Sequence, residues 1–584
     1  MKKNHLFGKY INLEFLLLFL MSLVNLLFLH YQFLSRIALE VDCFKSSYFD
    51  NLFASLLDVS FLLLFFWLIT LRRLRLSLVI TFVITLVWSF CNVFYSRFFQ
   101  QYLSWSSVGQ ADNLTDSALA DSIMAGFEPI DLFYPIMIVL FCAIWFWSRK
   151  HDIVKRSLKT LLILWAVVLC LLVAGHSLYI FSDKTVADVV NKTLFTGPKY
   201  DSMWPNWTVF HKGFFRKLLL EQMINDSNIE LTEEQEAEIE KVISDHRLRK
   251  TVRTAPDSVR NVIFILVESY LSVTSDLVVD GQEITPYLNK LKRDSNVYFN
   301  PHMRPNVSIG ESSDGQLIYM AGLLPLHAEI TVGKAKNDSI IGLPKQLKKA
   351  YPDLKSLTII PTNPTLWDQQ AMTDNYGFDH LYSMLDYQAE MKDNDSGGFL
   401  TDGMIFSYAS KKDESNTTPF CSLILTMSTH QPYEGYEEHG FTLNDPTLPQ
   451  RYKNYLISCH YMDMQLGKYL EELKNKGLYD KSLIVIVADH DARPRYLDME
   501  GKISDDIPVY FVNGGIDKAK AWNGECNQLD VYTTILDIMG IETKWRGLGH
   551  TLLNKDYQNS VTEKTQELSD WIVYGDYFKG KNIQ

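Results

Sequence analysis

Three short polar segments each follow an apolar, β-rich run in the second half of the chain. Glu268-Ser269 follows Asn261–Val267, Thr429-His430-Gln431-Pro432-Tyr433 follows Ser422–Thr426, and Asp489-His490 follows Ser482–Ala488. Two carboxylates and an imidazole are hard oxygen and nitrogen donors of the kind that hold Mn²⁺, Mg²⁺ or Zn²⁺. One such residue alone fits an ordinary cap or ion pair; three at strand ends of one domain point to a site. A nucleophile is also on offer. Ile309-Gly310-Glu311-Ser312-Ser313-Asp314-Gly315-Gln316 is a small, hydroxyl-rich turn ahead of an apolar stretch, and reads as a helix start with exposed N–H groups. A serine there, next to a divalent cation, would have its hydroxyl activated for attack on a phosphoryl group.

The elements that must position these residues are legible as texture. The continuous apolar runs are expected for strands buried on both faces of a parallel sheet, with Leu357–Ile360 and Val509–Val512 as two more. Helical segments fall between them at Pro286–Arg293, Leu343–Ala350, Tyr452–Lys474 and Leu529–Met539. Strands alternating with helices predict an α/β domain with a doubly wound, mostly parallel sheet over residues 259–584. In such sheets ligands bind beyond the carboxyl ends of the strands, where the polar segments lie.

Ahead of this domain the chain changes solvent. Five apolar stretches, Ile11–Phe33, Leu52–Thr70, Leu76–Tyr95, Pro129–Trp147 and Leu161–Phe181, each approach the length of a membrane-spanning helix. Residues 1–181 therefore read as a five-span α-helical membrane domain. Lys2, Lys3 and Lys9, then Arg72, Arg73 and Arg75, then Arg149, Lys150, Lys155, Arg156 and Lys159 cluster at every second connection. The positive-inside rule then puts the amino terminus in the cytoplasm and everything after the fifth span outside the cytoplasmic membrane. Glu14 and Asp58 fall in or at the ends of spans, where an ionisable group must snorkel or pair. Residues 182–258 read as a juxtamembrane helical linker, with Thr232 and Gln235 forming a capping box ahead of an acidic helix from Glu233 to about His246.

The 584 residues are 47% hydrophobic and 21% charged, with a net charge of −12. Split at residue 181, the charge is +3 in the first part and −15 in the rest. An acidic remainder argues against nucleic acid as a partner, because phosphate neutralisation needs clustered Lys and Arg. Only Cys421, Cys459 and Cys526 of the seven cysteines fall in the α/β domain, without CxxC spacing, so neither a disulfide framework nor a thiolate zinc site is expected.

The ordered set "NVIFILVES", "TPYLNKL", "GESSDGQ", "LPL", "LWDQQAM", "GFDH", "TMSTHQPY", "CHYMDMQLGKYL", "IVADHD" and "IPVYF" resembles the lipoteichoic acid synthase family, within the alkaline phosphatase and sulfatase superfamily. The resemblance implies an alkaline phosphatase-like fold and a membrane-anchored phosphoglycerol transferase. Its implied metal ligands are Glu268, Ser312, Asp489 and His490, with Mn²⁺ as the metal and Mg²⁺ or Zn²⁺ as alternatives. The family's threonine nucleophile falls on Ser312, His430 matches a substrate-contacting or proton-transferring histidine, and Trp367 matches an aromatic residue of the headgroup site. The implied partners are a phospholipid headgroup donor, such as phosphatidylglycerol, and a glycolipid or glycan acceptor.

Two departures stand out. Gln369 occupies the position of a family Arg, and the Gly usual after the Asp-His pair is replaced within Asp491-Ala492-Arg493. Gln369 cannot supply the charge of an Arg on phosphate; Gln369 is kept as a substrate-binding position, and Arg493 is a conjectural substitute for the missing charge. A C/S-x-P-x-R sequence for formylglycine is absent, which argues against sulfate-ester hydrolysis. The alternatives are a phosphoethanolamine transferase or phosphodiesterase of the same superfamily, or a degenerate glycan-binding relative.

Overall fold

A computed structural model describes residues 13–34, 48–71, 73–99, 102–103, 127–148, 209, 213–214, 230–248, 252–327, 330–335, 340–364, 366–391, 399–414, 419–433, 436 and 439–581. The described residues fall into two compact units, one holding those up to Phe214 and the other those from residue 230 onward.

The first unit is built of helices Leu13–Leu34, Tyr48–Ile69, Leu74–Phe99 and Phe133–Ser148, the last led by a 3-10 turn at Pro129–Leu132. Three stretches, Phe15–Phe33, Leu74–Arg97 and Pro129–Trp147, are long and apolar enough to cross a membrane. The second expected span lies in the helix Tyr48–Ile69, of which Ala54–Ile69 is a shorter apolar stretch. The fifth expected span, Leu161–Phe181, and most of the basic clusters lie outside the described residues, as does the side chain of Glu14. Polar groups point inward and find each other. Asn25 Nδ2 donates to Thr85 Oγ1 at 3.2 Å, and Arg97 grips both oxygens of Asp131 at 2.7 and 2.6 Å. Asp58 is 3% exposed and accepts the Phe214 N–H at 2.7 Å, which ties its helix to that segment.

The second unit is organised by one eight-stranded sheet. Its strands are β1 Asn261–Val267, β4 Val297–Arg304, β5 Lys355–Ile359, β6 His380–Tyr382, β7 Phe420–Leu425, β8 Ser482–Ala488, β9 Ile507–Val512 and β10 Cys526–Asn527, with β2 Val278–Val279 and β3 Gln282–Glu283 forming a separate small hairpin. The order is β10-β4-β9-β8-β1-β7-β5-β6, parallel except where β9 runs against β8 and β4. The expected fold class therefore holds for the α/β part. β1, β7 and β8 are buried at every residue, as continuous apolar runs require when helices cover both faces. Register aligns Val267 with Ala488 and Leu266 with Leu425, so the segments after these three strands emerge side by side.

The capping box forms as expected: Thr232 N donates to Gln235 Oε1 at 2.9 Å and Gln235 N to Thr232 Oγ1 at 3.3 Å. The helix it opens, Glu233–Leu248, lies against the carboxyl-terminal segment, where Tyr577 OH donates to Glu240 Oε2 at 3.3 Å and Lys564 pairs with Glu238.

Candidate active site

β1 ends in Glu268, and the chain then turns sharply through Ser269 at φ 49°. The surroundings over-determine that left-handed turn. Ser269 N donates to Asp489 Oδ1 at 2.8 Å, Ser269 Oγ to Glu268 Oε1 at 2.7 Å, and Tyr455 OH to the Ser269 carbonyl at 3.0 Å. The segment after β7 holds Glu268 from the other side: Glu268 N donates to Thr426 Oγ1 at 3.1 Å, and Thr429 Oγ1 donates to the Glu268 carbonyl. Asp402 fixes that segment in turn, accepting the N–H groups of Met427 and Ser428, each at 2.8 Å.

Ser312 is the first residue of a helix running to Ala321, with Glu311 at the N-cap in an unusual φ 45°, ψ −116° conformation. Asp314 ties the preceding loop, accepting Ser308 N and Gly310 N, each at 2.9 Å. Glycine is required at two places. A Cβ on Gly310 would lie 2.3 Å from Asp314 Oδ1, and one on Gly315 would lie 2.5 Å from the Asp489 carbonyl oxygen. Gly315 thus lets the serine helix rest directly on the end of β8. Gln528 and Tyr319 fix that end: Gln528 Nε2 donates to the Asp489 carbonyl at 2.7 Å and Tyr319 OH to the Ala488 carbonyl at 2.7 Å.

The outcome is convergence. Ser312 Oγ donates to Glu268 Oε2 at 3.2 Å and lies 3.3 Å from His490 Nε2. His490 Nε2 lies 3.5 Å from Glu268 Oε1 and 3.6 Å from Asp489 Oδ2. One ligand atom from each of Glu268, Asp489 and His490 falls within 4.8 Å of the others. His490 Nδ1 donates to the Asp491 carbonyl at 2.8 Å, which leaves Nε2 facing the carboxylates, the orientation a metal-ligating imidazole needs. Burial lifts the Asp489 carboxyl to about 7, with Glu268 beside it adding to the shift. Burial alone would lower His490, but Asp489, Glu268 and Glu311 hold it up at about 9. Buried carboxylates crowded onto one point are the donor set of a divalent cation, so the residues present fit the metal that the superfamily uses.

His430 stands at the rim. Its Nδ1 donates to the Gln431 carbonyl at 2.6 Å, so in the neutral ring Nε2 carries the lone pair. Burial, with the charges of His490 and Arg493, lowers its pKa, which keeps it a proton acceptor at neutral pH. Trp367 and Gln369 lie on the turn after β5, beyond the same sheet edge; Trp367 and Asp368 are both left-handed, at φ 53° and 51°. Gln369 opens the helix to Tyr376 and is 4% exposed. Arg493 is placed differently from a free cation: its guanidinium donates to Glu311 Oε1. Sequence reading missed Glu311, Gly315 and Gln528 as site-building residues. The "GESSDG" segment carried a signal for the first two; Gln528 had none.

This sheet, with Glu268, Asp489 and His490 gathered at its strand ends and Ser312 at a helix start beside them, has the form of a sulfatase-type catalytic domain, and it follows a helical membrane unit. A family model described as Sulfatase matches residues 260–541, and one described as Lipoteichoic acid synthase N-terminal domain matches residues 1–200. Lipoteichoic acid synthase 2 of Bacillus subtilis is 25% identical over 545 residues, covering 87% of this chain and 79% of that protein. Lipoteichoic acid synthase of Staphylococcus aureus (strain USA300) is 25% identical over 522 residues, covering 84% and 77%. The lipooligosaccharide phosphoethanolamine transferase A of Neisseria meningitidis shares the fold over 93% of this chain and 99% of its own, at a TM-score of 0.53 and 14% identity. The chain thus carries a Lipoteichoic acid synthase N-terminal domain followed by a Sulfatase domain, is similar to lipoteichoic acid synthases over most of its length, and is an enzyme of the alkaline phosphatase and sulfatase superfamily.

Proposed function

We propose that this enzyme moves a phosphoglycerol headgroup from a membrane phospholipid to a hydroxyl of a glycolipid or glycan, through a covalent phospho-Ser312 intermediate. The observation that carries the reading is Ser312 Oγ, set 3.2 Å from Glu268 Oε2 and 3.3 Å from His490 Nε2 at the end of the sheet. Glu268, Asp489, His490 and Ser312 would hold the divalent metal, Mn²⁺ by family resemblance. When bound, that cation supplies a lowered hydroxyl pKa and charge stabilisation at the phosphoryl oxygens.

Ser312 Oγ loses its proton and forms a bond to phosphorus, and the phosphorus–oxygen bond to diacylglycerol breaks. Diacylglycerol leaves as the alcohol, taking up a proton. The acceptor hydroxyl then attacks the phospho-serine; its proton goes to His430 Nε2, and the bond to Ser312 Oγ breaks as that oxygen takes back a proton, restoring the hydroxyl. Trp367 and Gln369 bind the headgroup, and Arg493 presents a cation on the Ser312 side of the site. Five spans, a cytoplasmic amino terminus and an extracytoplasmic catalytic domain in the cell membrane complete the reading. Holding enzyme and lipid in one plane raises their effective concentration.

The test is Ser312→Ala in the full chain with labelled phosphatidylglycerol and Mn²⁺. Release of diacylglycerol should fall by about a thousandfold or more, and the phosphorylated 310–320 peptide seen by mass spectrometry in the wild type should vanish. Release at the wild-type rate would refute the reading. Phosphatidylethanolamine supplied in parallel separates phosphoglycerol from phosphoethanolamine transfer.

A further inference from the structure

Glu311 is at odds with its own backbone. At φ 45°, ψ −116° it holds a conformation that glycine adopts freely and other residues avoid, at a cost of about 1–3 kcal/mol. It does so one residue before Ser312, with its side chain only 13% exposed. A strained, buried carboxylate beside a phosphoryl-transfer nucleophile is unfavourable twice over, because an anionic substrate must approach the same place.

Its surroundings show what offsets this. Glu311 Oε1 accepts from Arg493 Nη2, and Glu311 Oε2 lies 4.0 Å from His490 Nδ1. Arg493 is itself left-handed, at φ 50°, and its backbone N–H donates to Asp491 Oδ2 at 2.8 Å. Two left-handed residues, 182 positions apart in sequence, thus face each other across the turn bearing the nucleophile and the turn bearing Asp489 and His490. The Arg493 charge is also felt at His430. The guanidinium has five donors, and a carboxylate uses at most two of them. The Arg493 side chain keeps 20% of its surface exposed, through which the remaining donors can meet a phosphate oxygen.

We infer that Glu311 is a positioning residue: it anchors the Arg493 guanidinium beside Ser312, so that Arg493 meets the donor phosphate from the loop after β8, in place of a cation at Gln369. This rests on the phosphoryl-transfer reading above. It gives the site a different source of anion recognition, and it makes Glu311 matter only through Arg493.

The experiment measures KM for phosphatidylglycerol in vesicles, kcat and Mn²⁺ affinity for the full chain carrying Glu311→Gly, Glu311→Gln, Arg493→Gln, or Glu311→Gly with Arg493→Gln. Glu311→Gly suits the backbone and removes only the carboxylate, so a merely turn-forming role predicts wild-type behaviour. The expected result is a KM raised about tenfold by either Glu311 variant, the size of one charge-assisted hydrogen bond, with kcat and Mn²⁺ affinity within about twofold. Arg493→Gln should raise KM at least as much, and the double variant no further, because the two act as a unit. Unchanged KM in both Glu311 variants would overturn the inference. So would a lowered KM, which would make Glu311 a competitor for the phosphate, or additive effects in the double variant. An inactive Ser312→Ala alongside wild-type Glu311→Gly would sink only this inference; an active Ser312→Ala would sink the underlying reaction.

Discussion

The two units of this chain bury opposite things. In the helical unit, Leu20, Phe61, Val139 and Phe146 are 42%, 53%, 67% and 65% exposed, while Asn25, Ser89 and Asp131 are turned inward. In the α/β unit, only Val252, Val278, Leu385 and Met391 among the described large apolar residues are exposed. Lipid tails are as apolar as leucine, so helices in a membrane gain little from burying leucine and more from joining polar groups. In water, apolar burial dominates, and polar groups go inside only where chemistry or a cap needs them. A mean hydropathy of −0.04 is the average of these two designs and describes neither.

The comparison is most exposed to failure at the ion pair inside the helical unit. Arg97 is bidentate on Asp131 and lies 3.9 Å from Glu128. Arg97→Met would strand a buried carboxylate, at a cost of about 3–5 kcal/mol. Thermal unfolding in detergent should drop accordingly, and Arg97→Met with Asp131→Leu should recover most of the loss. If the single variant is as stable as the parent, the helices are not joined by their polar groups.

A smaller effect sharpens the same contrast on the outside. Val139 and Val278 are both exposed valines, at 67% and 54%. Lysine on an apolar helix centre in lipid costs about 2.5–3.5 kcal/mol, whereas a surface change in water stays within about 0.5 kcal/mol. Val139→Lys should cut membrane-inserted protein severalfold, read by fractionation, and Val278→Lys should leave it alone. Equal tolerance of both would mean that the Phe133–Ser148 helix does not face lipid.

What the sequence made legible follows from range of interaction. Glu268, Asp489 and His490 could be read because each stands immediately after an apolar run that announces its strand, and parallel pairing then brings the strand ends together. β4, Val297–Arg304, was not legible: it contains Pro301 and alternates polar with apolar residues, because only part of it is buried. The Glu311–Arg493 pair and the Gln528 contact to Asp489 join positions 182 and 39 residues apart, and no local pattern encodes such partners. Gly315 could be seen as a glycine but not explained until the Asp489 carbonyl was found against it. Local order marked five of the eight strands and the Glu268, Asp489 and His490 positions at their ends; the packing that sets Ser312 in place is a property of the assembled domain.

The smallest predicted effect concerns polar groups inside the α/β unit that serve no reaction. Asp413 is fully buried, and its Oδ2 accepts from Tyr469 OH at 2.5 Å. Burial raises its carboxyl to about 7, against about 3.9 in an unfolded chain. The folded state therefore binds a proton that the unfolded state has lost, and the sign follows by linkage. The stability this proton gives is complete below about pH 4 and fades as pH rises through 7. Asp314 and Asp463, also held near 7 by burial, add slopes of the same sign. Unfolding temperature should thus fall between pH 5 and pH 8. Asp413→Asn replaces the carboxyl with a neutral amide of the same shape, so it should flatten part of that fall at the alkaline end. A variant whose slope matches the parent's would show that Asp413 is ionised in the folded domain, and that the α/β unit tolerates buried charge as the helical unit does.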